Sequence, residues 1–306
     1  MYRIDQLAGV LVALASPLER DGSVDEPAID RLVSHVLTGG VHGLLALGST
    51  GETAALDQPA RRQVLRAVIA AADGRVPVMC GVAQSTVAAA RAEVRAASDL
   101  GADAVLVAPP FYYPMTQAGV LEFFRRIAEA SPLPVFVYNI PQFTKVVIES
   151  ATVSTLAREG SIAGIKDSSR DFEYFEGVRI ATRDLQAFRL FTGSDTMLLA
   201  SLAVGGAGTI CGAGNVAPHW VVRIYEEFQA GDMTAARSSQ DRLYKLVMAL
   251  REGAFPLDIK AALDALGVCE PWSAPPVQAL PEPAREKLRT RLAEWGLLQE
   301  AGFVRS

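Results

Sequence analysis

A recurring rhythm constrains this chain more than any single residue. Short apolar runs rich in β-formers appear at GVLVAL (9–14), GLLALG (43–48), PVMCGV (77–82), DAVLVA (103–108), PVFVY (134–138), IAGIK (162–166), RLFTG (189–193) and AGTIC (207–211). The starts of these eight runs lie 34, 34, 26, 31, 28, 27 and 18 residues apart. None alternates cleanly with polar residues, which is the pattern of parallel strands covered on both faces. Segments of helical period fill the intervals and carry start signals. Asp25 precedes one, Asp57 with Pro59 opens QPARRQVLRAVIAAA, Thr86 opens VAAARAEVRAASDLGA with its stop at Gly101, and Thr116 opens QAGVLEFFRRIAEA. Strand and helix alternating in this way predict an α/β fold, a (β/α)8 TIM barrel. An open doubly wound sheet is the rival. It usually carries GxGxxG after its first strand, where this chain has VALASPLERDG.

Beyond Asn215 the chain reads as helix without further strands, at 215–230, 233–251, 256–266 and 282–298. The proline-rich connection CEPWSAPPVQALPEP (269–283) is too apolar for a free linker. The expected organisation is a barrel over residues 1–230 and C-terminal helices over 231–306, packed on the barrel and without obvious chemistry of their own.

Composition narrows the function. The 306 residues are 50% hydrophobic and 21% charged, enough for a sizeable core. A net charge of −5 offers no footprint for nucleic acid. No uninterrupted apolar run reaches the roughly 18 residues of a membrane span. The start, MYRIDQLAGV, lacks the basic segment and long apolar run of a secretory signal. Cys80, Cys211 and Cys269 are odd in number, far apart and set in apolar surroundings, so they read as core residues of a cytoplasmic protein. His35, His42 and His219 show no HxH or HExxH spacing, and no protein-bound metal is expected.

Chemistry collects at the ends of the strands, where such barrels keep their active sites. In SIAGIKDSSRD (161–171) a lysine ends an apolar strand. Desolvating an unpaired ammonium is costly, and a buried lysine relieved of its proton is a nucleophile. The plainer reading is a strand ending at the surface, with Lys166 reaching water beside Asp167. Tyr138 ends the preceding strand, so a phenol and an amine finish neighbouring strands on one face. Such a pair can pass protons during imine formation, although a core tyrosine satisfied by a carbonyl accounts for Tyr138 taken singly. After the second strand, LGSTGE (47–52) offers glycine N–H groups and two hydroxyls to a small anion such as a carboxylate. The glycine run 205–214 could instead cradle phosphate, but it contains no Lys or Arg, and Gly205-Gly206 reads as a helix stop.

Taken together, GVHGLLALGSTGETAAL, VYNIPQFT, IAGIKDSS and FTGSDTMLLASLAVGGAGTICGAGNVAP are similar to the dihydrodipicolinate synthase/N-acetylneuraminate lyase family, in its order and spacing from about residue 8 to the end. The resemblance implies a class I, Schiff-base lyase acting on pyruvate or a related 2-oxo acid and an aldehyde. It implies no metal or organic cofactor and a homotetramer built as a dimer of dimers. By motif, Lys166 would form the imine and Tyr138 would transfer protons. Ser49 and Thr50 match the hydroxyl pair, with Thr50 expected to hold the carboxylate and pass protons to Tyr138. Tyr112 matches a tyrosine that in many members completes the relay from a neighbouring subunit. Ile210 matches a residue whose carbonyl faces the Schiff base, and Gly193 a glycine that leaves space there.

The departures lie elsewhere. True synthases follow YNxP with an arginine for the second substrate's carboxylate, whereas YNIPQFT places Phe143 there. Phenylalanine cannot make arginine's bidentate pair. Lys145 and Arg170 are the basic residues available to stand in. The tyrosine pair is altered too, with Phe111 before Tyr112. A kept catalytic kit beside a changed recognition kit points to a different aldehyde. The alternatives are 4-hydroxy-tetrahydrodipicolinate synthase proper, a deoxy-sugar-acid dehydratase on the same lysine imine, or a non-catalytic carboxylate-binding paralogue.

Overall fold

Parallel strands need a crossover of a dozen residues or more, and the spacing of the apolar runs supplies one each time. The computed structural model describes residues 7–300, so the outermost parts of both expected segments, 1–6 and 301–306, lie outside the described residues. The strands are β1 (Gly9–Ala13), β2 (Gly43–Ala46), β3 (Val78–Val82), β4 (Ala104–Val107), β5 (Val135–Asn139), β6 (Gly164–Asp167), β7 (Arg189–Thr192) and β8 (Gly208–Cys211). They pair in chain order, and β8 returns in parallel to β1, so the sheet closes into a barrel. At that seam Gly208 faces Gly9, and a Cβ on Gly208 would meet the Gly9 carbonyl oxygen at 1.9 Å. Asn215 bridges the same seam: its Nδ2 donates to the Ala13 and Gly212 carbonyls at 2.8 and 2.9 Å, and its Oδ1 accepts from the Ala15 N–H at 3.0 Å.

The crossovers hold α1 (Glu26–Thr38), α2 (Gln58–Ala72), α3 (Val87–Leu100), α4 (Gln117–Ala130), α5 (Pro141–Thr144), α6 (Ser150–Arg158), α7 (Phe172–Ala181), α8 (Leu198–Ala203) and α9 (Pro218–Gln229). The start signals form as expected. The side chains of Asp25, Asp57, Thr86 and Thr116 accept from the N–H groups of Ala28, Ala60, Ala89 and Gly119. Such a cap stabilises a helix by about 1 kcal/mol.

Strand alternation divides the interior in two. Leu11, Ala13, Leu45, Met79, Phe136 and Phe191 belong to a cluster inside the barrel. Their neighbours along the strands, such as Val12, Leu44, Val135 and Val137, join a larger cluster between sheet and helices. Ile165 belongs to that outer cluster, so the next residue, Lys166, faces inward above the barrel's apolar filling.

Beyond the barrel come α10 (Met233–Ala249), α11 (Leu257–Ala265), α12 (Glu282–Glu294) and α13 (Leu297–Glu300). Helix α9 packs against α8 and α1 and so completes the ring, while α10 lies on α9 and α8. The single helix expected at 282–298 is two, because Gly296 between them takes φ 80°, outside the helical range.

Candidate active site

Register puts the two expected reacting groups side by side. Tyr138 on β5 pairs with Lys166 on β6. They are 7% and 4% exposed, and the Lys166 Nζ stands 4.5 Å from the centre of the Tyr138 ring. The surface-lysine reading therefore fails: Lys166 is buried, and among the described residues it makes no ion pair. The next position is held by a network. The Asp167 carboxylate accepts from Asn139 Nδ2 at 2.8 Å and from the Ser169 N–H and Oγ at 3.1 and 2.9 Å. The Asn139–Asp167 bond ties the ends of β5 and β6 together, and Asn139 Oδ1 accepts from the Ile148 N–H at 3.2 Å, which holds the α5–α6 connection to them. Burial raises the Asp167 carboxyl above its ordinary range, with the Asn139 and Ser169 hydrogen bonds opposing. Space beside the amine depends on Gly193: a Cβ there would come within 2.7 Å of Lys166 Cε and 2.0 Å of Ser168 Oγ.

The turn after β2 brings the hydroxyls in. Leu47 and Glu52 bracket it with φ of 58° and 56°, a left-handed conformation that non-glycine residues rarely adopt. Gly81 permits its close approach, since a Cβ there would lie 2.1 Å from the Leu47 carbonyl oxygen. The hydroxyl that reaches the phenol belongs to Ser49, which donates to the Tyr138 oxygen at 3.4 Å. The expectation had given that contact to Thr50. With the tight turn closed, adjacent residues point apart; Thr50, 4% exposed, lines the cavity above Lys166 instead. The Ser49–Tyr138 separation is long for an O–H···O bond. On the far side of the turn, the Glu52 carboxylate pairs with Lys260 of α11 at 2.5 Å and accepts from the Ala274 N–H at 2.9 Å. Lys260, fully buried, also donates to the Trp272 carbonyl.

The cavity over Lys166 is about 520 Å³, and Thr50, Tyr138, Gly193 and Ile210 are among the residues that line it. Phe143 lines it too, its ring 5.9 Å from that of Phe255. Of the two basic stand-ins, Arg170 lines the cavity, whereas the Lys145 ammonium donates to the Gln142 carbonyl at 2.9 Å. Asp195, 8% exposed, also faces in. Burial raises its carboxyl, with the Ala213 N–H, Arg251 and Lys166 pulling the other way.

One expectation needs correction. The C-terminal helices, read as chemically silent, supply Val247, Leu250, Arg251, Phe255 and Ile259 to this cavity. No local motif announces these residues; only the packing of α10 and α11 over the barrel brings them there. Tyr112 stands apart. It is 84% exposed at φ 85°, edge-to-face with Tyr113 at 5.0 Å, and the chain's own cavity is lined without it. The three cysteines are buried, and burial pushes the thiols of Cys80 and Cys269 up to about 12. Among the described residues no three His, Cys, Asp or Glu gather as metal ligands would, and no helix is long and apolar enough to cross a membrane.

This arrangement agrees with what the chain resembles. The family model of the dihydrodipicolinate synthetase family matches residues 6–295. A 4-hydroxy-tetrahydrodipicolinate synthase of Methanopyrus kandleri is 36% identical over 97% of this chain and 99% of its own. The solved dihydrodipicolinate synthase of Thermotoga maritima superposes with a TM-score of 0.92 at 30% identity, covering 95% of this chain and 99% of that one. YagE, a prophage protein of E. coli K12 solved in complex with pyruvate, superposes at 0.91 and 28% identity over 95% and 99% of the two chains. A buried lysine and tyrosine in register on adjacent strands thus sit in a chain that belongs, over nearly its whole length, to the dihydrodipicolinate synthetase family.

Proposed function

We propose that this protein is a class I, Schiff-base lyase that joins pyruvate, or a related 2-oxo acid, to an aldehyde or cleaves the product. The observation that carries this is the Lys166 amine, buried at the end of β6 and 4.5 Å from the Tyr138 ring. The Lys166 nitrogen adds to the C2 carbonyl, and loss of water leaves a protonated imine. That cation acidifies C3, Tyr138 takes a proton from it, and an enamine results. The enamine carbon attacks the aldehyde carbonyl, whose oxygen takes up a proton, and water then frees the product and the amine. Cleavage runs the same steps backward. The imine itself is the electron sink, so the steps call on no metal or organic cofactor.

Tyr138 moves the protons, and Ser49, its hydrogen-bonding neighbour, is the next station of the relay. Thr50 and the N–H groups of its turn hold the substrate carboxylate, beside Ile210. Tyr112 completes the relay of a neighbouring subunit in a homotetramer built as a dimer of dimers. Its support is an exposed aromatic pair on the catalytic face. Buried, unpaired cysteines favour the cytoplasm. The chain divides into a barrel to about residue 230 and helices beyond it that roof the site.

The named relatives favour 4-hydroxy-tetrahydrodipicolinate synthesis, but Phe143 at the cavity wall favours an aldehyde other than aspartate semialdehyde. The deciding experiment is incubation with pyruvate and borohydride, followed by peptide mass spectrometry. An adduct on the peptide that holds Lys166 is expected. An adduct on another lysine, or none with any 2-oxo acid, removes the mechanism and leaves a carboxylate-binding protein.

A further inference from the structure

The protein as a whole is acidic, with a net charge of −5, yet its candidate active cavity gathers cations. The charged residues lining it are Lys166, Arg170, Arg251 and Asp195, three positive and one negative. Lys166 is committed to the imine in the reading above. Arg170 stands in the turn between β6 and α7 with φ 65°, and Arg251 follows the last turn of α10. Among the described residues no carboxylate lies within ion-pair distance of either guanidinium. The Arg251 guanidinium is lowered from its ordinary range by burial and then by the like charge of Arg170, with Asp195 opposing. Both arginines line the one cavity, exposed at its rim.

Two guanidiniums on one cavity wall repel each other, and an anion placed between them gains from both. The family position for a carboxylate-binding arginine holds Phe143 instead. Of the other lining residues, Ile140, Phe143, Val247, Leu250 and Phe255 are apolar and Gln142, Ser168 and Ser169 uncharged, so an acid entering the cavity finds its counter-charge at the two arginines. We infer that Arg170 and Arg251 clamp a second acidic group on the substrate. The oxo acid handled here is then a dianion, with one carboxylate beside the imine and another at the distal end. This rests on the lysine-imine reading and narrows it: the aldehyde partner is itself an acid, read from the β6–α7 turn and the end of α10 rather than from α5.

The test measures binding without asking for turnover. Borohydride trapping on Lys166 is titrated with pyruvate and with three matched pairs of 2-oxo acids. These are 2-oxoglutarate against 2-oxopentanoate, 2-oxoadipate against 2-oxohexanoate, and 2-oxopimelate against 2-oxoheptanoate. Each pair has one chain length and differs by a distal carboxylate in place of a methyl group. At one length or more, the dicarboxylate should reach half-maximal trapping at a concentration roughly ten- to 150-fold lower, the range of a charge-assisted hydrogen bond. In the double variant Arg170→Gln/Arg251→Gln that ratio should fall close to one. Equal trapping within every pair of the wild type overturns the clamp, and so does a preference that survives in the double variant. Trapping of pyruvate but of no longer acid overturns it as well. Failure to trap pyruvate itself is the distinct result that takes down the imine mechanism, and the clamp with it. The wild-type ratio decides even if the double variant does not fold.

Discussion

Lys166 and Tyr138 come from strands paired on both sides, so their relative position is fixed by a ladder of backbone hydrogen bonds. Phe143, Arg170, Arg251 and Phe255 line the same cavity from a short helix and two connecting segments, and all four are exposed. The floor of the pocket is thus rigid and dry, its rim solvated and adjustable. Reactions that share an imine need the same floor, whereas each aldehyde needs its own rim. A barrel can change its substrate at the rim without disturbing the carbon chemistry below.

The comparison breaks most sharply at the floor. Lys166→Met should leave the fold in place and depress turnover by about 10⁵-fold or more, since a positioned intramolecular nucleophile contributes on that scale. Steady-state kinetics beside circular dichroism would check it, and a variant that keeps substantial activity would move the nucleophile elsewhere. Tyr138→Phe comes next, with a loss of roughly 10²- to 10⁴-fold in turnover, the contribution of a general acid–base group. Activity within a few-fold of the wild type at saturating substrate would take Tyr138 out of the mechanism.

Between floor and rim stands the Glu52–Lys260 pair. Lys260→Met strands a buried carboxylate, which costs about 3–5 kcal/mol of stability, readable by urea unfolding. Replacing Glu52 with Gln in the same protein should recover part of that loss, because the orphaned charge is gone. A single-variant effect below about 0.5 kcal/mol would be that of an ordinary surface site. At the rim the expected effect is smallest. Phe143→Arg should improve condensation of pyruvate with aspartate semialdehyde by roughly tenfold, the lower end for a charge-assisted hydrogen bond. If the unmodified enzyme already condenses the pair at about 10⁴ M⁻¹s⁻¹ or more, the rim argument fails and the synthase reading stands.

What could be read from the sequence follows the same division. The strands were legible because both faces of each are buried, and Lys166 was legible because it interrupts an apolar run. Capping was legible at Asp25, Asp57, Thr86 and Thr116, whose chemistry is local. The choice between Ser49 and Thr50 was not, since it turns on the left-handed backbone at Leu47. Arg251 and the Lys260–Glu52 tie were not legible either. Both depend on helices folding back over a barrel mouth whose loops lie far earlier in the chain.

The seam between β1 and β8 gives this molecule a clock. Strands from opposite ends of the barrel sequence meet there, at Gly9 and Gly208, and Asn215 fastens them. Contacts so distant in sequence form late, because loop closure must precede any gain from them. The amine on β6 therefore has its strand neighbours early, but its cavity is sealed only when the first strand finds the last. During refolding from denaturant, helical signal should return first and the capacity to form an imine afterwards. The lag between them is the time the chain takes to find its own beginning.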